Sequence, residues 1–369
     1  MNVSSVFRKA LDGFIIPPRT FPNMLFSAAR GAASLLRDVQ TRNDFLETLD
    51  KQIINEGVIS QATWGPMMML SLFHDLQNPL FKRNNFDAAE FLEGVGPALE
   101  RFHNVSGALE NQLRTLQEQA KKKKSSEEND STSKAEKEEV SSDAKESEES
   151  PTTKSKEDEF LSNFPGSLSQ QDFFMSETDG SSIASVLEHD WADDAKKDPE
   201  SLAGQLSRMA TTELFNMLQI SAKTAFLLQP PGRNIVFKEG RCKVNNVALL
   251  SARSFLCVEK DNQDLEQWGE QVTSSKYEMV DYGTDEAEVK RRKGGVAAQV
   301  EVLYDITQEF EETHPLEESK DTNEKTEEME TTIVSVAVME GWLNGGPDGE
   351  LRWRVALHRP AFEFPRIAQ

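Results

Sequence analysis

Apolar residues alternate with polar ones along the last third of the chain, and a chain that does so three times over must bury one side of a sheet. Ala298, Val300, Val302, Tyr304 and Ile306 take every second position, opposed by Ala297, Gln299, Glu301, Leu303 and Asp305. Successive side chains of a strand point to opposite faces, so this spacing predicts a strand with one better-buried side. Val334, Val336, Val338 and Trp342 repeat the pattern. Leu351, Trp353, Val355 and Leu357 repeat it again beyond a turn of Asn344, Gly345, Gly346, Pro347, Asp348 and Gly349. Two such runs around a Gly- and Asp-rich turn predict an antiparallel hairpin, with Val336 and Val355 both facing the core. Leaving that face in water would forfeit roughly 25 cal/mol for each Å², so upstream helices must cover it.

Two segments suit the cover. Asp87 followed three residues later by Glu90 is a capping box, and Phe91, Leu92, Val95, Ala98, Leu99 and Phe102 then fall on one helical stripe that Gly94, Gly96 and Pro97 are placed to kink or split. Asp198, Pro199 and Glu200 open a second helix, with Asp198 as its cap and Leu202, Leu206, Met209 and Ala210 behind it. Further upstream, Asn43 or Asp44 starts a helix through Phe45, Leu46, Leu49, Ile53 and Ile54 that Gly57 ends. The run Met67, Met68, Met69, Leu70 reads as core filling rather than as an adaptable binding surface. Residues 234–238 and 244–258 supply the first strands. Helices before strands is the order of an α+β fold.

Much of the chain lacks the means to fold. Residues 121–158 contain no Phe, Trp, Tyr, Leu or Ile, and ordering each would cost about 1–2 kcal/mol of backbone entropy with little buried in return. Residues 121–189 therefore read as a mostly disordered linker, in which 160–174 carries scattered aromatics suited to docking or to a loop. Residues 309–330 hold ten acids against two lysines and read as a solvated acidic loop between paired strands. The division is thus 1–42 basic, 43–120 helical, 121–189 linker and 190–365 the rest of the α+β domain.

The formal charge of −22 gives no expectation of direct nucleic-acid binding, which draws on clustered Lys and Arg. Two cysteines, Cys242 and Cys257, predict no disulfide framework and a reducing compartment. The longest apolar run, residues 66–73, is far shorter than the roughly 20 residues a bilayer requires. Residues 1–42 reverse the sign, with six basic residues against Asp12 and Asp38. This start reads either as an organellar transit segment or as a basic helix of the folded body. Within it, Met24, Leu25, Ala28, Ala32, Leu35 and Leu36 at helical spacing beside Arg30 and Arg37 suit an anionic membrane surface or packing on the domain. Arg291, Arg292 and Lys293, with Arg352 and Arg354, form a second candidate contact, for RNA, anionic lipid or an acidic partner, against the plainer reading of solvated or paired arginines.

No phosphate loop, nucleophile elbow or paired-histidine zinc motif is present, and neither His74, His103, His189, His314 and His358 nor the cysteines have metal-ligand spacing. No cofactor, metal or catalytic set is expected. An enzyme reading needs a pocket lined by the sheet with a buried acid or histidine, and Asp281, Tyr282, Tyr304, Asp305 and His358 are its candidates. Alternation places Asp305 and His358 opposite Tyr304 and Leu357, facing solvent.

These parts resemble a family. Phe86, Asp87, Ala88, Ala89, Glu90, Phe91, Leu92, Glu93, Gly94 and Ala98, a helix around 202–218, and strands ending in Leu351, Arg352, Trp353, Arg354, Val355 and Ala356 look like the C-terminal domain of mitochondrial import inner membrane translocase subunit 44 and its relatives. Those relatives include a mitoribosome receptor and a large-subunit mitoribosomal protein. The likeness covers about 80–110 and 190–365. It implies a cone-like α+β fold of the nuclear transport factor 2 type, with helices on a curved antiparallel sheet. It also implies a non-catalytic protein of the mitochondrial matrix, peripheral to the inner membrane, whose partners are import or insertion machinery or the mitoribosome. The insert at 121–158 and the acidic loop depart from the family. The rival expectation is a small-molecule-binding or isomerase-like enzyme on the same fold.

Overall fold

A computed structural model describes residues 15–17, 19–51, 53–54, 65–135, 186–228, 234–259, 277–281, 283–314, 325–343 and 353–360. Those residues form a mixed α and β structure around an open, antiparallel six-stranded sheet. In chain order come α1 (Phe21–Arg37), α2 (Val39–Asp50), α3 (Gly65–Leu76), α4 (Pro79–Arg83), α5 (Ala88–Ala135), α6 (Trp191–Lys197), α7 (Leu202–Met209) and α8 (Thr212–Leu228). The strands β1 (Asn234–Phe237), β2 (Lys243–Glu259) and β3 (Tyr277–Val280) follow, then α9 (Glu286–Arg291), β4 (Gly295–His314), β5 (Lys325–Trp342) and β6 (Arg354–Pro360). The strand order is β3-β2-β4-β5-β6, and β1 pairs with β4 beyond the start of β2. Gly240, at φ 72°, makes the turn between β1 and β2 in a backbone region open to glycine at little cost.

The helices cover one face. Val95, Leu99, Phe102, Leu109 and Leu113 of α5 are buried with Leu206, Leu214, Val300, Val302, Ile306, Ala337, Met339 and Val355. Asp87 caps α5 as expected, accepting from the N–H groups of Ala89 and Glu90 at 2.8 and 3.2 Å. The helix neither splits at Pro97 nor stops before Lys121; it runs to Ala135. Residues 136–185, including the docking segment at 160–174, lie outside the described residues.

Other starts differ from expectation. Ser201 caps α7 by accepting from Gly204 N–H at 3.0 Å, while Asp198 closes α6 and accepts from Glu200 N–H. Asp38, not Asn43 or Asp44, caps α2, accepting from Gln40 and Thr41. The Met-rich run packs as expected: Leu72 and Phe73 are fully buried, with Met68 and Met69 against them.

The acidic tract is not simply a loop. β4 and β5 stay paired to His314 and Lys325, which sets Glu309 opposite Glu330 and Glu311 opposite Glu328. Like charges directly across a strand pair repel. Lys238 relieves one pair, 3.4 Å from Glu311 and 2.7 Å from Glu328. The face of β5 is also reversed. Val336 and Val338 are buried, but on the side away from the helices, with Leu303 and Leu250 or with Ala356 and Leu357. The helix-facing side of β5 carries Ile333, Ser335, Ala337 and Met339, since these pair with Ile306, Tyr304, Val302 and Val300.

Candidate functional site

Helix α1 lies on α3 through its small residues. Ala28 and Gly31 are buried, and a Cβ on Gly31 would meet the carbonyl oxygen of Leu70, so the two backbones approach as closely as glycine permits. With that stripe turned inward, the opposite side faces out. Leu25, Ala29 and Leu36 form one outward line, and Phe26, Arg30 and Arg37 form the next. Phe26 is 68% exposed and Leu36 84%. Val39 and Leu46 of α2 extend the exposed apolar surface. No acidic residue lies in α1. Of the expected contact residues, Arg30 and Arg37 are therefore brought together on one apolar and basic surface.

The other cluster is not gathered. Arg292 is paired with Glu278 at 2.6 Å and Lys293 with Glu259 at 3.7 Å, both at the β2–β3 edge. Arg291 is exposed beside them. Arg354 is exposed on β6, separated by β4 and β5, and Arg352 lies outside the described residues. Among the described residues no group of three or more His, Cys, Asp or Glu is placed to hold a metal ion, and no helix is long and apolar enough to cross a membrane. Cys242 and Cys257 are free and buried, and burial pushes each thiol up to about 12.

Between α5 and the sheet sits a polar group that alternation alone does not place. His103 of α5 and Tyr304 of β4 share a hydrogen bond of 2.7 Å between Nε2 and the phenol oxygen. The His358 ring stands 4.8 Å from that of His103, nearly perpendicular to it, and 6.2 Å from that of Tyr304. His358 points inward, not to solvent, because β6 is irregular: Val338 pairs with Leu357 but Met339 with Val355, leaving Ala356 as the extra residue of a bulge. Leu357 turns to the outer face and His358 takes its place within. Asp305 does face outward, accepting from Asn246 at 3.0 Å. Asp281 is exposed, and Tyr282 lies outside the described residues.

Burial pushes His103 down to about 3, aided by His358, and His358 down to about 4, while it raises the Tyr304 phenol. All three rings are neutral near neutral pH. Imidazoles this weakly basic exchange hydrogen bonds but are poor acceptors of a proton from carbon. The Nε2 of His358 is buried and has no hydrogen-bond partner among the described residues.

Comparison with protein-family models, with curated proteins and with solved structures returns no match.

Proposed function

We propose that this chain is a non-catalytic adaptor of the translocase subunit 44-like kind, held peripherally against the matrix side of the mitochondrial inner membrane, with the sheet and its helices forming a nuclear transport factor 2-like cone. One observation carries the reading: α1 turns Leu25, Phe26 and Leu36 outward beside Arg30 and Arg37, with no acid on the helix. An apolar line flanked by a basic line is the arrangement that lies in the headgroup layer of an anionic bilayer. The partners are import or insertion machinery or the mitoribosome, carried by the rest of the domain.

The test is retention of the intact protein by liposomes containing anionic lipid. Each basic residue near such a surface contributes on the order of 1 kcal/mol, so changing Arg30 and Arg37 together to Glu removes about 4 kcal/mol of attraction. The wild type should be retained at low salt and released as salt rises, and R30E/R37E should not be retained. Retention indifferent to both salt and the double reversal sinks the docking idea.

The rival, a small-molecule-binding protein on the same fold, draws on the inward Tyr304, His103 and His358. These groups suit binding of a neutral polar ligand better than proton abstraction.

A further inference from the structure

The outer face of the sheet, opposite the helices, carries a polar row beside an apolar one. Arg253, Gln299, Glu340 and Arg354 sit directly opposite one another on β2, β4, β5 and β6. Gln299 is 1% exposed and Glu340 3%. One row away lie Phe255, Ala297 and Trp342, an apolar shelf extended by Cys257 and Tyr277.

Residues 15–17 lie across this face, gripped through their main chain. The Glu340 carboxylate accepts from Ile15 N–H at 3.0 Å and from Ile16 N–H at 3.3 Å. Gln299 Nε2 donates to the Ile16 carbonyl at 2.7 Å and to Glu340 at 2.8 Å, and its own Oε1 accepts from Arg253. Arg253 also donates to the Pro17 carbonyl at 2.6 Å. Pro17 has no N–H, so every main-chain donor of the three residues is matched. The side chain of Ile16, 1% exposed, sits on the apolar shelf with Ile15 beside it.

A strap that served only to cover the sheet would need apolar contact alone. Here three side chains read consecutive main-chain groups of a bent segment, whose two successive N–H groups both turn to one carboxylate. We infer that the Arg253–Gln299–Glu340 row is a binding site for a bent segment of two apolar residues followed by proline, and that residues 15–17 of the same chain are its occupant. Beyond Pro17, Arg19 pairs with the buried Asp75 of α3 at 2.5 Å, and Thr20 then stands at the start of α1 with no side-chain hydrogen bond to it. The seat thereby fixes where α1 begins. The inference stands apart from the adaptor reading, since liposome retention can fail with the seat intact.

The probe is a labelled peptide with the sequence of residues 13–20, added to the full-length chain and followed by fluorescence anisotropy. Ile16→Asp empties the seat by placing a charge on the apolar shelf. That variant should bind the peptide saturably and at least tenfold more tightly than the wild type, whose seat is filled, and adding Glu340→Ala should abolish the binding. An Ile16→Asp protein that melts cooperatively yet binds the peptide no better than the wild type overturns the proposal. Should Ile16→Asp fail to fold, amide hydrogen exchange on the wild type decides. Slow exchange at Ile15 and Ile16 that persists on dilution supports the seat, and exchange as fast as in the free peptide overturns it. Protection that is lost on dilution as a dimer dissociates would assign the occupant to a second copy and overturn the assignment within one chain.

Discussion

Acid should weaken this protein through His103 and His358, and Glu340 should offset part of the loss. Both imidazoles have an ordinary value of 6.5, whereas burial holds them at about 3 and about 4 in the fold. Below pH 6.5 the unfolded chain takes up two protons that the folded chain refuses. The stability they contribute is therefore full above that pH and is lost as the pH falls toward 4, at roughly 1 kcal/mol per pH unit for each proton. Glu340 works in the opposite sense. Its ordinary value is 4.5, but burial pushes it up to about 7 against the opposing N–H groups of Ile15, Gln299 and Ile16 and the charge of Arg253. Between those two values the folded chain takes up a proton that the unfolded chain does not, so falling pH stabilises the fold through this group. The neighbouring Cys257 does not blur the comparison: its thiol, pushed up to about 12 by burial, keeps its proton across this range. Near pH 5.5 two imidazoles against one carboxyl leave a net loss of roughly 1 kcal/mol per pH unit. Relative to the wild type, His358→Phe should reduce that slope by roughly 1 kcal/mol per pH unit, and Glu340→Gln should increase it by about as much. Asp75 and Glu110, whose carboxyls burial also raises, are common to all three proteins and drop out of the comparison. Urea unfolding followed by circular dichroism across this range measures each slope. Equal slopes in the three proteins would show that these groups do not carry the pH dependence.

Val336→Ala and Val355→Ala should each cost about 1–3 kcal/mol although they lie on opposite faces of the sheet, and Arg354→Ala less than about 0.5, read from urea midpoints. A loss at Val336 as small as that at Arg354, beside a large one at Val355, would mean that the outer face is not buried. Gly31→Leu should lower the melting temperature and detach α1 from α3, whereas Gly94→Ala, with nothing within 4 Å of the added carbon, should raise stability by up to about 1 kcal/mol. Thermal melts that rank these two the other way would reject the close crossing of α1 on α3.

The sheet was legible because β4 truly has one face under the helices, so its alternation from Ala298 to Ile306 reports burial directly. β5 misled for a physical reason. Its apolar residues face outward onto a second covered surface, and Ser335, Ala337 and Met339 lie under the helices. The signal of that second surface was in the sequence: Glu340 falls on the same parity as Val334, Val336, Val338 and Trp342, a carboxylate inside an apolar stripe. The inward turn of His358 was not legible, because a bulge depends on the register with β5 and alternation within one strand says nothing of it. His103 lies among the apolar residues of the α5 stripe, but only Tyr304 opposite gives it a role. The basic candidates divided in the same way. Arg30 and Arg37 share a helix, whose period the sequence displays, while Arg291 ends α9 beside the β2–β3 edge and Arg354 lies on β6 at the far end of the sheet order.

The seat on the outer face also bears on how the chain comes into being. Ile16 and Glu340 are 324 positions apart, near the limit for a chain of this length. Synthesis proceeds from the N-terminus, so residues 15–17 emerge long before β5 and must wait for it to offer them a carboxylate. Closing so long a loop is entropically slow, which makes this contact among the last to form. Until then the shelf of Phe255, Ala297 and Trp342 stands open. A chaperone that recognises extended apolar segments would meet the nascent chain at both halves of the same unmade contact.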